Sequence, residues 1–221
     1  MNLVNKLSLA SAGIAMTLSI ASIKPVQAVE LASTTVINFD DLTNSEAHIP
    51  NGYNRLKWDN FYMLNTVNYV YASGYKNGTV SQRNIAYNAW AKPATISGIS
   101  GNTFNFNSVY LTAAWKNGLN ILVEGFTKGN LSYSQIVTVD SISPTQFVFN
   151  YLNVDRVRFS SFGGVQVPDY IGVGQHFALD NLSLTHISKP VPEPLTMGST
   201  VVVLGLGFWM KRKKASVEMK R

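Results

Sequence analysis

Between residues 29 and 189 no apolar stretch repeats with the 3.6-residue period of a helix. Short runs recur instead, alternating or apolar throughout, and they are separated by Gly, Asn, Pro and Ser. Residues 35–39 open the series, and residues 103–106 alternate so that Phe104 and Phe106 share one face. Residues 109–115 and 119–126 flank Lys116-Asn117-Gly118, whose Asn-Gly pair suits the positive φ angles of a hairpin turn. Lys128-Gly129-Asn130 turns into residues 131–140, and runs at 146–150, 156–160 and 177–184 complete the set. Residues 53–64 and 69–80 add further strands, with Lys76-Asn77-Gly78 as another turn. Roughly eight to ten short strands at this spacing, with no helical crossover between them, predict two stacked antiparallel sheets. The expected fold is all-β: an antiparallel β-sandwich of jelly-roll type whose first and last strands pair and bring the domain's two ends together.

The two ends of the chain have a different pattern. Lys6 precedes an apolar stretch at 7–23, Pro25 stops any helix there, and Val26-Gln27-Ala28 places small residues at the −3 and −1 positions of a cleavage site. Residues 1–28 are therefore expected to be a signal peptide cut by signal peptidase after Ala28. A retained membrane anchor is the alternative, but the many Ser, Thr and Ala residues make the stretch weakly apolar. At the other end, Val191-Pro192-Glu193-Pro194 leads into an apolar span at 195–210, punctuated by Gly198, Gly205 and Gly207, and then into Lys211-Arg212-Lys213-Lys214. Sixteen helical residues cover about 24 Å, short for a bilayer unless the basic side chains snorkel. The basic cluster is expected on the cytoplasmic side, with the preceding chain outside.

Pro192-Glu193-Pro194, the Gly-punctuated span and the basic stop, in that order behind a signal peptide, resemble the PEP-CTERM sorting signal of bacteria that secrete extracellular polymer. The resemblance covers residues 190–214, and Ala215 to Arg221 extend a little past the usual basic end. It implies recognition at Pro192, Glu193 and Pro194 by an exosortase, a membrane protease-transpeptidase, and a final place in the cell envelope or outside the cell. A plain single-span anchor would share the topology. The expected organisation is thus a signal peptide at 1–28, a β-sandwich at 29–189, the sorting tail at 190–214 and a short polar extension at 215–221.

Charge changes the picture by where it lies. The two ends contribute +2 and +4, the whole of the net +6, and residues 29–189 are neutral. Basicity belongs to targeting, and a nucleic-acid surface has no electrostatic support. The chain has no cysteine, which excludes disulfides, thiolate metal sites and cysteine nucleophiles. The domain must be held by its core, for which about 160 residues suffice.

Enzyme signatures are absent: no Gly-x-Ser-x-Gly elbow, no His-Glu-x-x-His and no phosphate loop. Gly172-Val173-Gly174 starts like a dinucleotide fingerprint but reads as a loop. His48, His176 and His186 lack metal-ligand spacing, and Glu124, mid-strand, reads as a satisfied sheet carboxylate rather than half of a glycosidase pair. Two constellations remain. Asp40, Asp41 and Asp180 would converge if the end strands pair, and could hold a structural Ca²⁺; alternatively they are ordinary strand-end residues. The aromatic stock of Tyr53, Trp58, Tyr62, Tyr71, Tyr75, Tyr87, Trp90 and Trp115, interleaved with asparagines, offers flat faces and amide groups to sugars. Trp58 and Trp115 lie in apolar alternation and are expected in the core, whereas Tyr53, Tyr75 and Trp90 beside turns are the surface candidates.

The end segments Ile37-Asn38-Phe39-Asp40-Asp41-Leu42 and Phe177-Ala178-Leu179-Asp180-Asn181-Leu182, with residues 153–159 as a late strand, resemble jelly rolls similar to carbohydrate-binding modules. Together these observations favour a non-enzymatic envelope or matrix protein with exopolysaccharide as its expected contact. The competing functions are a secreted carbohydrate-active enzyme on the same scaffold and a purely structural surface component.

Overall fold

The computed structural model describes residues 31–42 and 45–188. The expected signal peptide, cleavage site and sorting tail lie outside them. Twelve strands and one short helix follow in order: β1 (Leu31–Ile37), β2 (Ala47–His48), β3 (Leu56–Asp59), β4 (Phe61–Asn65), α1 (Gly74–Asn77), β5 (Asn84–Asn88), β6 (Ala94–Gly98), β7 (Phe104–Ala113), β8 (Lys116–Thr127), β9 (Asn130–Val139), β10 (Thr145–Val154), β11 (Arg156–Gln166) and β12 (Phe177–Ser188). They form two sheets, one ordered β10-β7-β12-β5-β4-β2 with β1 also on β12, the other β3-β6-β11-β8-β9. Every pairing is antiparallel. The first and last strands pair as expected, from Leu31 against Ser188 to Ile37 against Leu182. One edge of β12 is thereby shared: β1 covers its second half, and β5 takes Ala178 and Leu179 near its start.

The core follows the period of two. Leu119, Ile121 and Val123 of β8 and Val157 and Phe159 of β11 point inward from the smaller sheet. Phe61, Phe106, Phe177 and Leu179 meet them from the larger one. The layers interlock through edge-on rings, Phe61 against Phe159 at 5.8 Å and Phe106 against Phe159 at 5.9 Å. Alternation breaks in β12, where Leu179 and Leu182 both face the core. The register shifts between Asp180 and Ser183, and Asn181 has a φ of 47°, the mark of a bulge. That bulge leaves Asp180 on the outer side of the sheet with none of its surface exposed.

Two expectations fail here. Lys116-Asn117-Gly118 does not close a hairpin, because β7 lies in one sheet and β8 in the other; the segment is a crossover between layers. Gly118 does take a positive φ of 66°, but its N–H donates to the Asp140 carboxylate at 2.7 Å and Asn117 accepts from Ser141, so the pair ties down the β9–β10 connection instead. By contrast a turn does form at Lys128-Gly129-Asn130, as a two-residue hairpin of Lys128 and Gly129, with φ of 52° and 82°, between β8 and β9; Asn130 already pairs with Thr127. Residues 69–80 form no strand. Ser73 accepts a hydrogen bond from the Lys76 N–H and starts the single turn α1, within a loop that covers the outer face of the larger sheet.

That covering layer explains why β4 and β5 are buried on both faces. Met63 and Ala86 join the main core. Leu64, Ile85 and Tyr87 on the opposite face build a second cluster with Tyr75, Ala114, Trp115 and Ala178.

Candidate functional site

The covering loop is fastened by an unusual run of hydrogen bonds. Val80 and Ser81 donate their backbone N–H groups to the Asp180 carboxylate at 2.7 and 2.8 Å, and Ser81 Oγ adds a third bond at 3.0 Å. Gln82, Arg83 and Asn84 donate theirs to Asp40, each at 3.0 Å. Five consecutive N–H groups thus end on two carboxylates, one at the end of β1 and one in the bulge of β12. Burial raises the pKa of Asp40, but the three backbone donors outweigh it and hold the group below its usual value; at Asp180 burial dominates and the value is raised. Asp41 stands apart, exposed, accepting from Tyr53 Oη at 2.5 Å. The carboxylate oxygens expected to face a calcium ion therefore face protein donors. Among the described residues no three acidic or histidine side chains group as a metal site. The tie between first and last strands runs through residues 80–84.

Beside this clamp, on the outer face of the larger sheet, lies an open hollow of about 450 Å³. Tyr62 and Leu64 of β4, Tyr87 of β5, Tyr69 and Tyr75 of the covering loop, and Trp115 at the crossover line it. Trp90, Gly172, Val173, His176, Ala89 and Glu46 complete the wall. Tyr75 is the hub: its ring lies 5.1 Å from Tyr87, 5.2 Å from Trp115 and 6.0 Å from Tyr69. Only 5% of it is exposed, yet its hydroxyl has no partner among the described residues. Burial, then the neighbouring phenols and Glu46, push its pKa well above the usual tyrosine value, so it stays a neutral donor.

Trp90 forms the rim. It is 72% exposed and sits at a φ of 57° in a tight turn. Asn60 fixes that turn by donating its side-chain amide to the carbonyls of Ala89, Lys92 and Pro93 at 2.9–3.3 Å. A large apolar ring is thus held out in water on a braced support, which core packing does not require. His176 is half-buried, and its Nδ1 donates to the Asn88 carbonyl at 2.9 Å. Burial lowers its pKa despite that bond, so the ring is neutral near pH 7. Tyr87 donates a short hydrogen bond to Glu46 Oε1, fixing the carboxylate at the wall.

The fold has relatives among solved structures. It is similar to a DUF4465 family protein from Bacteroides caccae. That likeness has a TM-score of 0.52 at 12% identity, covering 69% of this chain and 98% of that one. A DUF4465 family protein from Bacteroides ovatus follows at 0.46 and 10%, covering 71% and 99%. A family 29 carbohydrate-binding module gives 0.34 and 16%, covering 73% and 99%. At these identities the first likeness shows the sandwich fold and nothing further. No family profile matches the sequence, and no curated protein matches it significantly.

Of the three aromatic surface candidates, the structure brings Tyr75 and Trp90 into one hollow and excludes Tyr53. Tyr53 packs on Phe39 and Trp58, at 6.1 Å from each, and belongs to the edge of the main core. Tyr75 is buried rather than exposed, because the covering loop folds it inward. Trp58 is buried as expected. Trp115 is buried too, but it also forms part of the pocket wall. Glu46, Tyr69 and His176 were not legible as site residues. The only local signal was aromatic spacing around Tyr69, and nothing in the chain placed Glu46 opposite Tyr87. Glu124 is the satisfied carboxylate expected of it, paired with Arg158 at 2.7 Å. His48 lies exposed against Tyr62, and His186 is half-buried on β12, away from the hollow. Gly172-Val173-Gly174 is a loop, and Gly172 and Val173 form pocket wall.

Proposed function

We propose that this chain is an exported, non-enzymatic envelope or extracellular-matrix protein whose β-sandwich binds a carbohydrate polymer in the aromatic hollow. The observation that carries the reading is the exposed, braced Trp90 over a hollow walled by five further aromatic rings. Flat rings stack on the C–H faces of sugars, and neutral phenols and an imidazole nitrogen meet the hydroxyls between them. The lining holds one carboxylate, Glu46, already engaged by Tyr87, which favours binding over acid–base hydrolysis with its paired carboxylates.

A glycan array probed with the full chain is expected to return polysaccharide ligands. Trp90→Ala is expected to weaken the best of them about tenfold, an energy of about 1.4 kcal/mol, while leaving the melting temperature unchanged because the side chain is mostly in water. An array without ligands, or a Trp90→Ala protein that binds as well as the parent, would reject the reading.

Export and sorting rest on the terminal motifs. In cells with an exosortase, the mature protein is expected to begin at Val29 and to end near Pro192-Glu193-Pro194. Replacing those three residues with alanines should leave a longer, membrane-bound precursor by mass and fractionation. Equal masses for parent and variant would reduce the segment to a plain anchor.

A further inference from the structure

The hollow has a charge character that sugar stacking alone does not call for. Six tyrosine and tryptophan rings line it together with the Glu46 carboxylate, and among the described residues no lysine or arginine does. The rings meet at steep angles, 87° between Tyr69 and Tyr75 and 78° between Tyr75 and Trp115, so they form walls rather than one platform. Aromatic faces carry negative potential, and walls of such faces attract a cation. Glu46 reaches three of the walls: burial is the first cause that raises the Tyr69, Tyr75 and Tyr87 phenols, and Glu46 is a further cause at each, behind the neighbouring phenols at Tyr75. Those phenols stay neutral, and burial lowers the His176 pKa, so no described residue of the lining offsets the carboxylate. Tyr87 donates to Glu46 Oε1 and so holds the carboxylate at the wall.

Resting on the glycan reading above, we propose that the hollow selects an amino sugar with a free ammonium group, held between the ring walls and the Glu46 carboxylate. The hollow exceeds the needs of a bare ammonium ion, and Trp90 at its rim gives the sugar ring a stacking face. The polymer class is a de-N-acetylated, cationic polysaccharide.

The test is calorimetric titration of the full chain with three tetrasaccharides, glucosamine, N-acetylglucosamine and glucose oligomers, and with choline. The glucosamine oligomer is expected to bind about tenfold tighter than the other two sugars. Glu46→Gln should lower the affinity for the glucosamine oligomer about tenfold more than the affinity for the two neutral oligomers. Should that variant misfold by circular dichroism, salt provides the second measurement. Raising it from about 50 to about 500 mM should shrink the preference in the parent protein. Equal affinity for all three sugars would overturn the ammonium inference and leave glycan binding standing. Choline binding without any sugar binding would support the cation site and overturn the glycan reading. No binding of any probe would overturn both.

Discussion

Replacing Asp180 with alanine is expected to lower the melting temperature by about 6–12 °C. The carboxylate accepts from the Val80, Ser81 and Asn181 N–H groups and from Ser81 Oγ, in a site with no exposed surface. Alanine removes the shared acceptor and leaves those part-buried donors without their protein partner. Stranding buried donors that had bonded a charged group costs about 3 kcal/mol, and each kcal/mol moves a domain of this size by about 2–4 °C. Thermal unfolding followed by circular dichroism measures the shift directly. A drop of less than about 2 °C would mean that solvent enters the bulge and replaces the carboxylate.

Gly74→Ala should have its effect on the site rather than on the sandwich. A Cβ at that position would lie 1.7 Å from the Ala113 carbonyl oxygen and 2.8 Å from its carbon, both backbone atoms of the sheet beneath. The Gly74 N–H meanwhile donates to the Ala114 carbonyl at 2.8 Å, so α1 lies flush against the end of β7 with no room to retreat. The strain of forcing a methyl into such a contact runs to about 1–3 kcal/mol or more, and here it is relieved by lifting the covering loop. Tyr69 and Tyr75 would leave the hollow with it. The expected result is loss of glycan binding, with faster hydrogen exchange across residues 66–83 and a main core that stays protected. Exchange unchanged in that segment would show that the sheet yields instead.

These outcomes depend on features that were unequally visible in the chain. The strand set was legible because alternation at 103–106 and 119–126 reflects burial on one face, a property of each segment alone. Pairing of β1 with β12 was legible for the same reason, as two matched apolar ends in a fold that must close. The crossover at Lys116-Asn117-Gly118 was not. Asn-Gly reports only that the backbone takes a positive φ, and that conformation serves a hairpin or a change of layer equally well. The strand expected at 69–80 fails because the aromatics of that loop look like strand residues. They are apolar since they cover a sheet, and no local period distinguishes covering from pairing. Asp40, Asp41 and Asp180 stand out in the chain as carboxylates that closing strands can bring together. The donors that Asp40 and Asp180 meet do not stand out, because a run of backbone N–H groups at residues 80–84 carries no side-chain signature.

The position of the hollow along β12 has a consequence for presentation. Its wall includes His176, just before the strand begins, and Ala178 lies in the cluster beneath it, whereas Ser188, the last described residue, lies at the strand's other end. Eleven residue steps of extended chain separate Phe177 from Ser188, a distance of roughly 36 Å. Because Leu31 sits opposite Ser188, both entry and exit of the described chain lie at that far pole. The hollow and the two described ends of the sandwich therefore lie at opposite ends of β12, so whatever occupies the hollow stays about a strand's length from Leu31 and Ser188.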